Sequence, residues 1–296
     1  MLKLKDISVM YKDKVVLDNV TFTANKGEVI GLVAPNGTGK TTLFNVMANY
    51  LKPNTGKVVF DEKYTYGTER AEIFIRKYLT TLPDQSDLFE DLSGVDHLKL
   101  FSNMWKGSTK HIQSIIDELK MGDYVKRKVR TYSLGMRQRL CFAMMVAADT
   151  PVMVMDEVMN GLDVANVALI SKKLIELKQN DKLIFVASHL LENLDLYADR
   201  VLFLKGGNII YEQELTAKND VYIKVYIEEQ HYQQVKNDYE LPDDHLYIAG
   251  EILCIPIKEM TFVEQAKWIE RFKNIELIIA PLGTAEYYTM YYHGMD

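Results

Sequence analysis

The sequence predicts an α/β protein: a core of buried parallel strands, opened by antiparallel strands, interrupted by a helical insertion and followed by a second, smaller α/β unit. Three observations carry this. Leu2 to Phe22 alternates apolar and polar residues about a turn at Lys12 to Lys14, as half-buried antiparallel strands do. Val152 to Met155 and Leu183 to Ala187 are near-continuous apolar runs separated by a helical pattern over Val164 to Lys178, as expected of parallel strands buried on both faces. Glu28 to Val33 is a further apolar run, followed by a glycine-bearing turn and then by apolar residues at helical spacing.

That first helix carries Leu43, Val46, Met47, Tyr50 and Leu51 and ends before Pro53. From about residue 85 to 150 the pattern is helical, with Leu98, Leu100 and Phe101, then Ile112, Ile115, Ile116 and Leu119, then Leu140, Cys141, Met144 and Met145. Val201 to Leu204 and Ile209 to Tyr211 flank Gly206-Gly207, a hairpin that closes the first domain. Beyond Glu214 the composition shifts: ten of the eighteen tyrosines lie between Tyr211 and the end, which places a boundary there. The expected domains are 1–214 and 215–296.

The second unit reads as strand Val221 to Ile227, helix Gln230 to Asn237, one or two strands over Leu246 to Ile257, helix Met260 to Phe272 and strand Ile275 to Ile279, an alternation that suggests a ferredoxin-like unit. Tyr287, Tyr288, Tyr291 and Tyr292 follow at helical spacing, as a core stripe or a partner contact.

Composition sets the bounds. A chain of 296 residues with 48% hydrophobic content can bury a full core. Cys141 and Cys254 match no metal-ligand spacing and read as reduced thiols. The N-terminus lacks the basic start and apolar run of a signal peptide, so a cytoplasmic location is expected. The most apolar stretch, Leu140 to Met155, is broken by Asp149 and Pro151 and falls short of the ~20 residues a bilayer span needs. A net charge of −6 argues against a broad nucleic-acid surface.

The turn after Val33 reads Ala34-Pro35-Asn36-Gly37-Thr38-Gly39-Lys40-Thr41-Thr42. Placed after a strand and before a helix, it is a phosphate-binding loop, in which small residues let the backbone N–H groups wrap around phosphate oxygens. Lys40 reaches the β- and γ-phosphates of a nucleotide, and the Thr41 hydroxyl holds Mg²⁺. Val152 to Met155 ends in Asp156-Glu157, which suits Asp156 to hold Mg²⁺ through water and Glu157 to polarise the attacking water. Tyr132-Ser133-Leu134-Gly135-Met136-Arg137-Gln138-Arg139 opens an amphipathic helix whose N-terminus, capped by Ser133, suits an anion.

That run resembles the signature sequence of the ATP-binding cassette (ABC) ATPases. It stands, as in that family, after the phosphate loop and about twenty residues before the carboxylate strand. Tyr11 resembles the aromatic residue that stacks on adenine, Asn160-Gly161-Leu162-Asp163 the D-loop, and His189 the switch histidine. The resemblance covers residues 1 to about 213 and implies the P-loop NTPase fold of ABC ATPase type. It also implies that ATP with Mg²⁺ is bound by Tyr11, Asn36, Gly37, Thr38, Gly39, Lys40, Thr41 and Thr42, with Glu157 and His189 catalytic. Ser133 and Gly135 would act in trans on the nucleotide of a second cassette, as in a homodimer.

Departures from the family pattern are Ala34 for the first glycine of the loop, Leu134 for a glycine, Met136 for a glutamine and Val158 for a proline. At the Q-loop, which contacts the metal, Asp84 aligns directly after Pro83, whereas Gln85 is the residue type the family uses; the assignment goes to Gln85 with Asp84 open. The resemblance further implies a separate transmembrane permease, to which the ATPase is peripheral, and is nearest to bacterial exporters of drugs, bacteriocins and amphipathic peptides. An importer stays open. Ribosomal types of the family carry two cassettes and DNA-repair types a long coiled coil, and a GTPase would need an Asn-Lys-x-Asp motif; none occurs in this sequence.

Overall fold

The computed structural model describes residues 1–105, 108–216 and 220–293, which fall into two compact units, Met1–Gln213 and Glu214–Asp296. The chain opens with the antiparallel pair β1 (Leu2–Tyr11) and β2 (Lys14–Ala24), their alternation placing Leu2, Leu4, Ile7, Leu17 and Val20 inward. β3 (Glu28–Val33), apolar and buried, runs into the loop and α1 (Lys40–Met47). β4 (Thr55–Phe60) and the two-residue β5 (Tyr64–Thr65) complete a first sheet of order β2-β1-β4-β5. α2 (Glu69–Tyr78), capped by Thr68, leads into the short β6 (Leu79–Thr81).

The helical insertion follows. It comprises α3 (Gly94–Met104), α4 (Ile112–Glu118) and α5 (Leu134–Ala148), with α5 packed on both of the others. α3 begins with a capping box in which Ser93 and Asp96 satisfy each other's backbone N–H groups. From Leu140 to Ala148 every residue of α5 is buried, which marks it as the central helix of the insertion.

The chain returns through β7 (Val152–Asp156), α6 (Val164–Gln179), β8 (Leu183–Ala187), α7 (Leu191–Tyr197), β9 (Arg200–Lys205) and β10 (Asn208–Glu214). The second sheet has the order β10-β9-β3-β8-β7-β6, with parallel pairing from β9 across to β6. One core cluster joins residues of β1, β2 and β4 to residues of α1, β3, β7 and β8, so α1 is held between the two sheets. Arg200 fastens the same junction: its guanidinium bonds Glu28 Oε1 at 2.5 Å, Glu212 and the carbonyl of Thr23, drawing together β9, β3, β10 and β2. Burial lowers its affinity for a proton, but those carboxylate bonds hold it firmly charged.

The second unit runs β11 (Val221–Tyr226), α8 (Glu229–Asp238), β12 (Leu246–Ile248), β13 (Ile252–Pro256), α9 (Phe262–Arg271), β14 (Leu277–Pro281) and α10 (Thr284–Tyr292). Its sheet has the order β12-β13-β11-β14 with every neighbouring pair antiparallel, the ferredoxin-like arrangement. Val235 of α8, Trp268 of α9 and Phe272 just after it pack on Ile223, Val225, Leu253 and Ile255 across one face. On the other face Ile248, Cys254 and Leu282 are met by Tyr287 of α10, and Lys224 of β11 pairs with Glu286. Tyr292 is buried, with Tyr288 packed beside it at 4.7 Å between ring centroids, so this end of the tyrosine stripe serves the core. Both cysteines are buried thiols, each pushed by burial up to about 12.

Replacing Arg200 with Met removes the buried cation but leaves the partly buried Glu28 carboxylate, and breaking a buried pair from one side costs about 3 kcal/mol. Urea denaturation of Arg200→Met should show a loss of that order in the first unit; a loss within experimental error would mean that the cluster adds nothing to its stability.

Candidate functional site

The chemistry predicted from the sequence collects where β3, β7 and β8 end. These strands are parallel, so the segments leaving their carboxyl ends emerge on one side of the sheet, where ligands bind in open α/β folds. A backbone bond from Glu157 N to Ala187 O (2.9 Å) continues the ladder one residue past β7.

The loop after β3 is shaped by two left-handed glycines, Gly37 (φ 73°) and Gly39 (φ 114°). A Cβ at Gly39 would lie 3.0 Å from the Val16 carbonyl of β2, so both the backbone conformation and the close approach demand glycine. The Lys40 ammonium crosses the loop to the carbonyls of Ala34 (2.6 Å) and Pro35 (3.2 Å), and Thr38 Oγ1 donates to Pro35 O at 2.7 Å. Burial holds Lys40 below the usual lysine range, against the pull of Asp156 and Glu157.

Thr41 Oγ1 donates to Asp156 Oδ2 at 2.7 Å, joining the first turn of α1 to the end of β7. Asp156 is pushed above the usual carboxylate range by burial, opposed first by the Thr41 hydrogen bond. Glu157 takes a left-handed φ of 55°, a strained conformation for a residue with a side chain that costs about 1–3 kcal/mol. Its carboxylate meets His189 Nε2 at 2.7 Å and the Asn160 amide. A cleft of about 420 Å³ is lined by Tyr11, Asn36, Gly37, Gly39, Lys40, Thr41, Thr42 and Glu157, together with Lys14 and Val16. Tyr11, at the end of β1, is 50% exposed, its ring available to a flat ligand.

The signature segment lies elsewhere in the unit. Ser133 caps α5 through its hydroxyl, which accepts from Met136 N at 3.3 Å, and neither it nor Gly135 lines the cleft. Leu134 is 61% exposed and touches the D-loop segment, where a Cβ at Gly161 would lie 3.0 Å from its Cδ2. Asp163 closes that segment by capping α6, accepting from Asn166 N at 2.8 Å.

At the Q-loop the two candidates part. Asp84 bonds the N–H and hydroxyl of Ser86, capping a short 3₁₀ turn over Gln85–Asp87, and these bonds hold its carboxyl below the usual range. Gln85 instead donates to the amide oxygen of Gln138. The structure therefore brings Thr41 and Asp156 together and gives Gln85 a partner on α5.

Sequence reading missed the contributions of four residues: Lys14 and Val16 at the cleft wall, the bond from Asn160 to the Glu157 carboxylate, and buried Gln138. Gln138 carried a signal, because it falls on the same helical face as Cys141 and Met145, and a polar residue there needs a partner.

The donor set fits a magnesium nucleotide. Among the described residues no three His, Cys, Asp or Glu side chains gather to hold a metal. A hydroxyl and one carboxylate are hard oxygen donors of the kind Mg²⁺ uses beside phosphate oxygens and water. The glycine-shaped loop leaves room for phosphates against its backbone, with Lys40 as their counter-charge.

A two-sheet core that presents a phosphate loop, a Mg²⁺-competent Thr–Asp pair and a Glu–His pair at parallel strand ends defines a P-loop nucleoside-triphosphatase. Residues 17–160 match the ABC transporter family. The chain is 33% identical over 246 residues to the ABC transporter ATP-binding protein YhcH of Bacillus subtilis (strain 168), covering 81% of this chain and 80% of that protein. It is 29% identical over 214 residues to the lantibiotic transport ATP-binding protein SrtF of Streptococcus pyogenes, covering 72% of this chain and 91% of that protein. A solved dimeric bacterial ABC transporter cassette shares the fold with a TM-score of 0.65 at 22% identity, across 73% of this chain and all of that one. The chain belongs to the ABC transporter ATP-binding proteins and is an ATPase. Among its described residues no helix is long and apolar enough to cross a membrane.

Because burial raises Asp156, the folded state favours the neutral acid: that contribution to stability is present at low pH and is lost as pH rises through the folded value. Asp156→Asn keeps the shape and the acceptor for Thr41 without the charge. At pH 7, free of nucleotide and metal, this variant should melt above the wild type while losing Mg²⁺-dependent hydrolysis; a lower midpoint would contradict the assignment of a charge held at a cost.

Proposed function

We propose that this chain is the ATP-hydrolysing subunit of an exporter, acting as a homodimer docked on a separate membrane-spanning permease at the cytoplasmic face. The observation that carries the catalytic part is the pairing of Glu157 with His189 beside the Thr41–Asp156 contact, at the mouth of one glycine-shaped loop.

In this reading Tyr11 stacks on the adenine, the backbone from Asn36 to Thr42 and Lys40 bind the phosphates, and Thr41 and Asp156 hold Mg²⁺, with Gln85 as the Q-loop residue. Mg²⁺, when bound, neutralises charge on the phosphate oxygens. Glu157 accepts a hydrogen bond from the attacking water and orients it, held in place by His189 and Asn160. His189, which follows β8, contacts the terminal phosphate in this reading as well. Ser133 and Gly135 supply a helix N-terminus to the nucleotide of the second copy, a role favoured by the exposure of the signature and its distance from the cleft lining of its own chain. Closure around ATP and reopening after hydrolysis give the stroke that the permease uses.

Support for export comes from the relatives: SrtF is a lantibiotic transport protein, and a further relative is a teichoic acid export protein of Bacillus cereus. The cargo class proposed is a drug or amphipathic peptide.

Removing a positioned base costs about 10²–10⁴ in rate. Purified Glu157→Gln should lose hydrolysis to that extent and accumulate as an ATP-bound dimer by light scattering, beside a wild type that turns over. A variant as active as the wild type, or one that stays monomeric with ATP, would refute this assignment.

A further inference from the structure

We propose that Gln138 is a positioning residue for Glu157, coupling the Q-loop to the catalytic turn through a chain of hydrogen bonds inside one subunit; the inference rests on the function proposed above. Gln138 lies on α5 just beyond the signature and is 6% exposed. Its Nε2 donates to two successive backbone carbonyls, Glu157 O at 3.2 Å and Val158 O at 2.9 Å. Because both are carbonyls, that end of the amide has to be the NH₂, and the oxygen has to face the other way. There it accepts from Gln85 Nε2. The orientation of each amide in the chain is thus set by its neighbours rather than chosen.

The target of this chain is strained. Glu157 is held at positive φ, its N–H tied to Ala187 O and its carboxylate to His189 and Asn160. Those contacts fix the turn from the sheet and the D-loop. Gln138 fixes it from the helical insertion, at the carbonyl that follows the strained φ. A shift of α5 or of the Gln85 turn is therefore delivered to the backbone that aims the Glu157 carboxylate. Gln138 touches neither substrate nor metal in this scheme; it acts through Glu157. Because the same amide joins Gln85, movement of the Q-loop and orientation of the carboxylate become one event.

Two variants separate positioning from packing. Gln138→Met keeps the volume and removes both the donor and the acceptor. Gln138→Glu keeps an acceptor for Gln85 and removes the donor to the carbonyls. Both, purified as full chains and assayed with MgATP, should turn over about 10²-fold more slowly at saturation, the scale at which a displacement of about 1 Å is felt in catalysis. Their KM for ATP should stay within about twofold, because the phosphate loop is untouched. A purely structural residue would instead lower the melting temperature and leave the turnover of the folded fraction intact.

The proposal is overturned by wild-type turnover in either folded variant. If Gln138→Met does not fold, Gln138→Glu decides alone. A wild type without any ATPase activity would refute the proposed function itself, whereas an active wild type beside equally active variants refutes only the role of Gln138.

Discussion

Everything in the first unit depends on parallel pairing of β3, β7 and β8 in register. Leu32 and Asp156 both lie opposite Ala187, so the three strands finish level and the segments that follow them share one edge. The phosphate loop leaves β3, the two carboxylates end β7, and His189 follows β8. Groups distant in sequence meet with little side-chain reach: Thr41 and Asp156 are 115 residues apart and touch at 2.7 Å. The core holds this edge still, since α1 lies between two sheets and Arg200 ties their strands from the other side.

Placing the chemistry there costs stability. Lys40 and Asp156 are partly desolvated, each driven toward its neutral form, and Glu157 sits in a backbone region that residues with side chains avoid. A sequence selected for stability alone would keep none of these. The offset comes from the apolar strands around them, buried on both faces. The consequence is a site whose charges are aimed before a nucleotide arrives, which is the condition for electrostatic catalysis.

Much of this was legible in the sequence because its signals are local. A glycine-bearing turn between an apolar run and a helical pattern, or an apolar run ending in Asp-Glu, can be recognised without knowing what packs against it. The βαββαβ order of the second unit was readable for the same reason, the turn at Ala249-Gly250 resolving the ambiguous stretch into β12 and β13. What escaped was set by tertiary contact. β6 is three residues long and exists only because β7 pairs with it; β4 pairs with β1 from far earlier in the chain, and the two-residue β5 forms the sheet edge beside it. Asp84 and Gln85, adjacent in sequence, differ in their side-chain partners: Asp84 caps its own turn, while Gln85 reaches across to Gln138. Lys14 looks like an ordinary turn residue until the fold brings it to the cleft, and the bond from Asn160 to the Glu157 carboxylate is likewise a product of the fold.

The claim on which the function rests most heavily is that each site is completed by the signature of a second copy, and it can be tested by mixing two disabled chains. Lys40→Ala removes the phosphate counter-charge; Gly135→Asp sets a carboxylate at the signature, where the fold tolerates a Cβ, the nearest atom being Leu162 Cδ2 at 3.6 Å. Each alone should be inactive. Mixed, they form dimers in which the intact phosphate loop of one faces the intact signature of the other, and ATPase activity should return; a mixture as inactive as its parts would contradict a site shared between two copies.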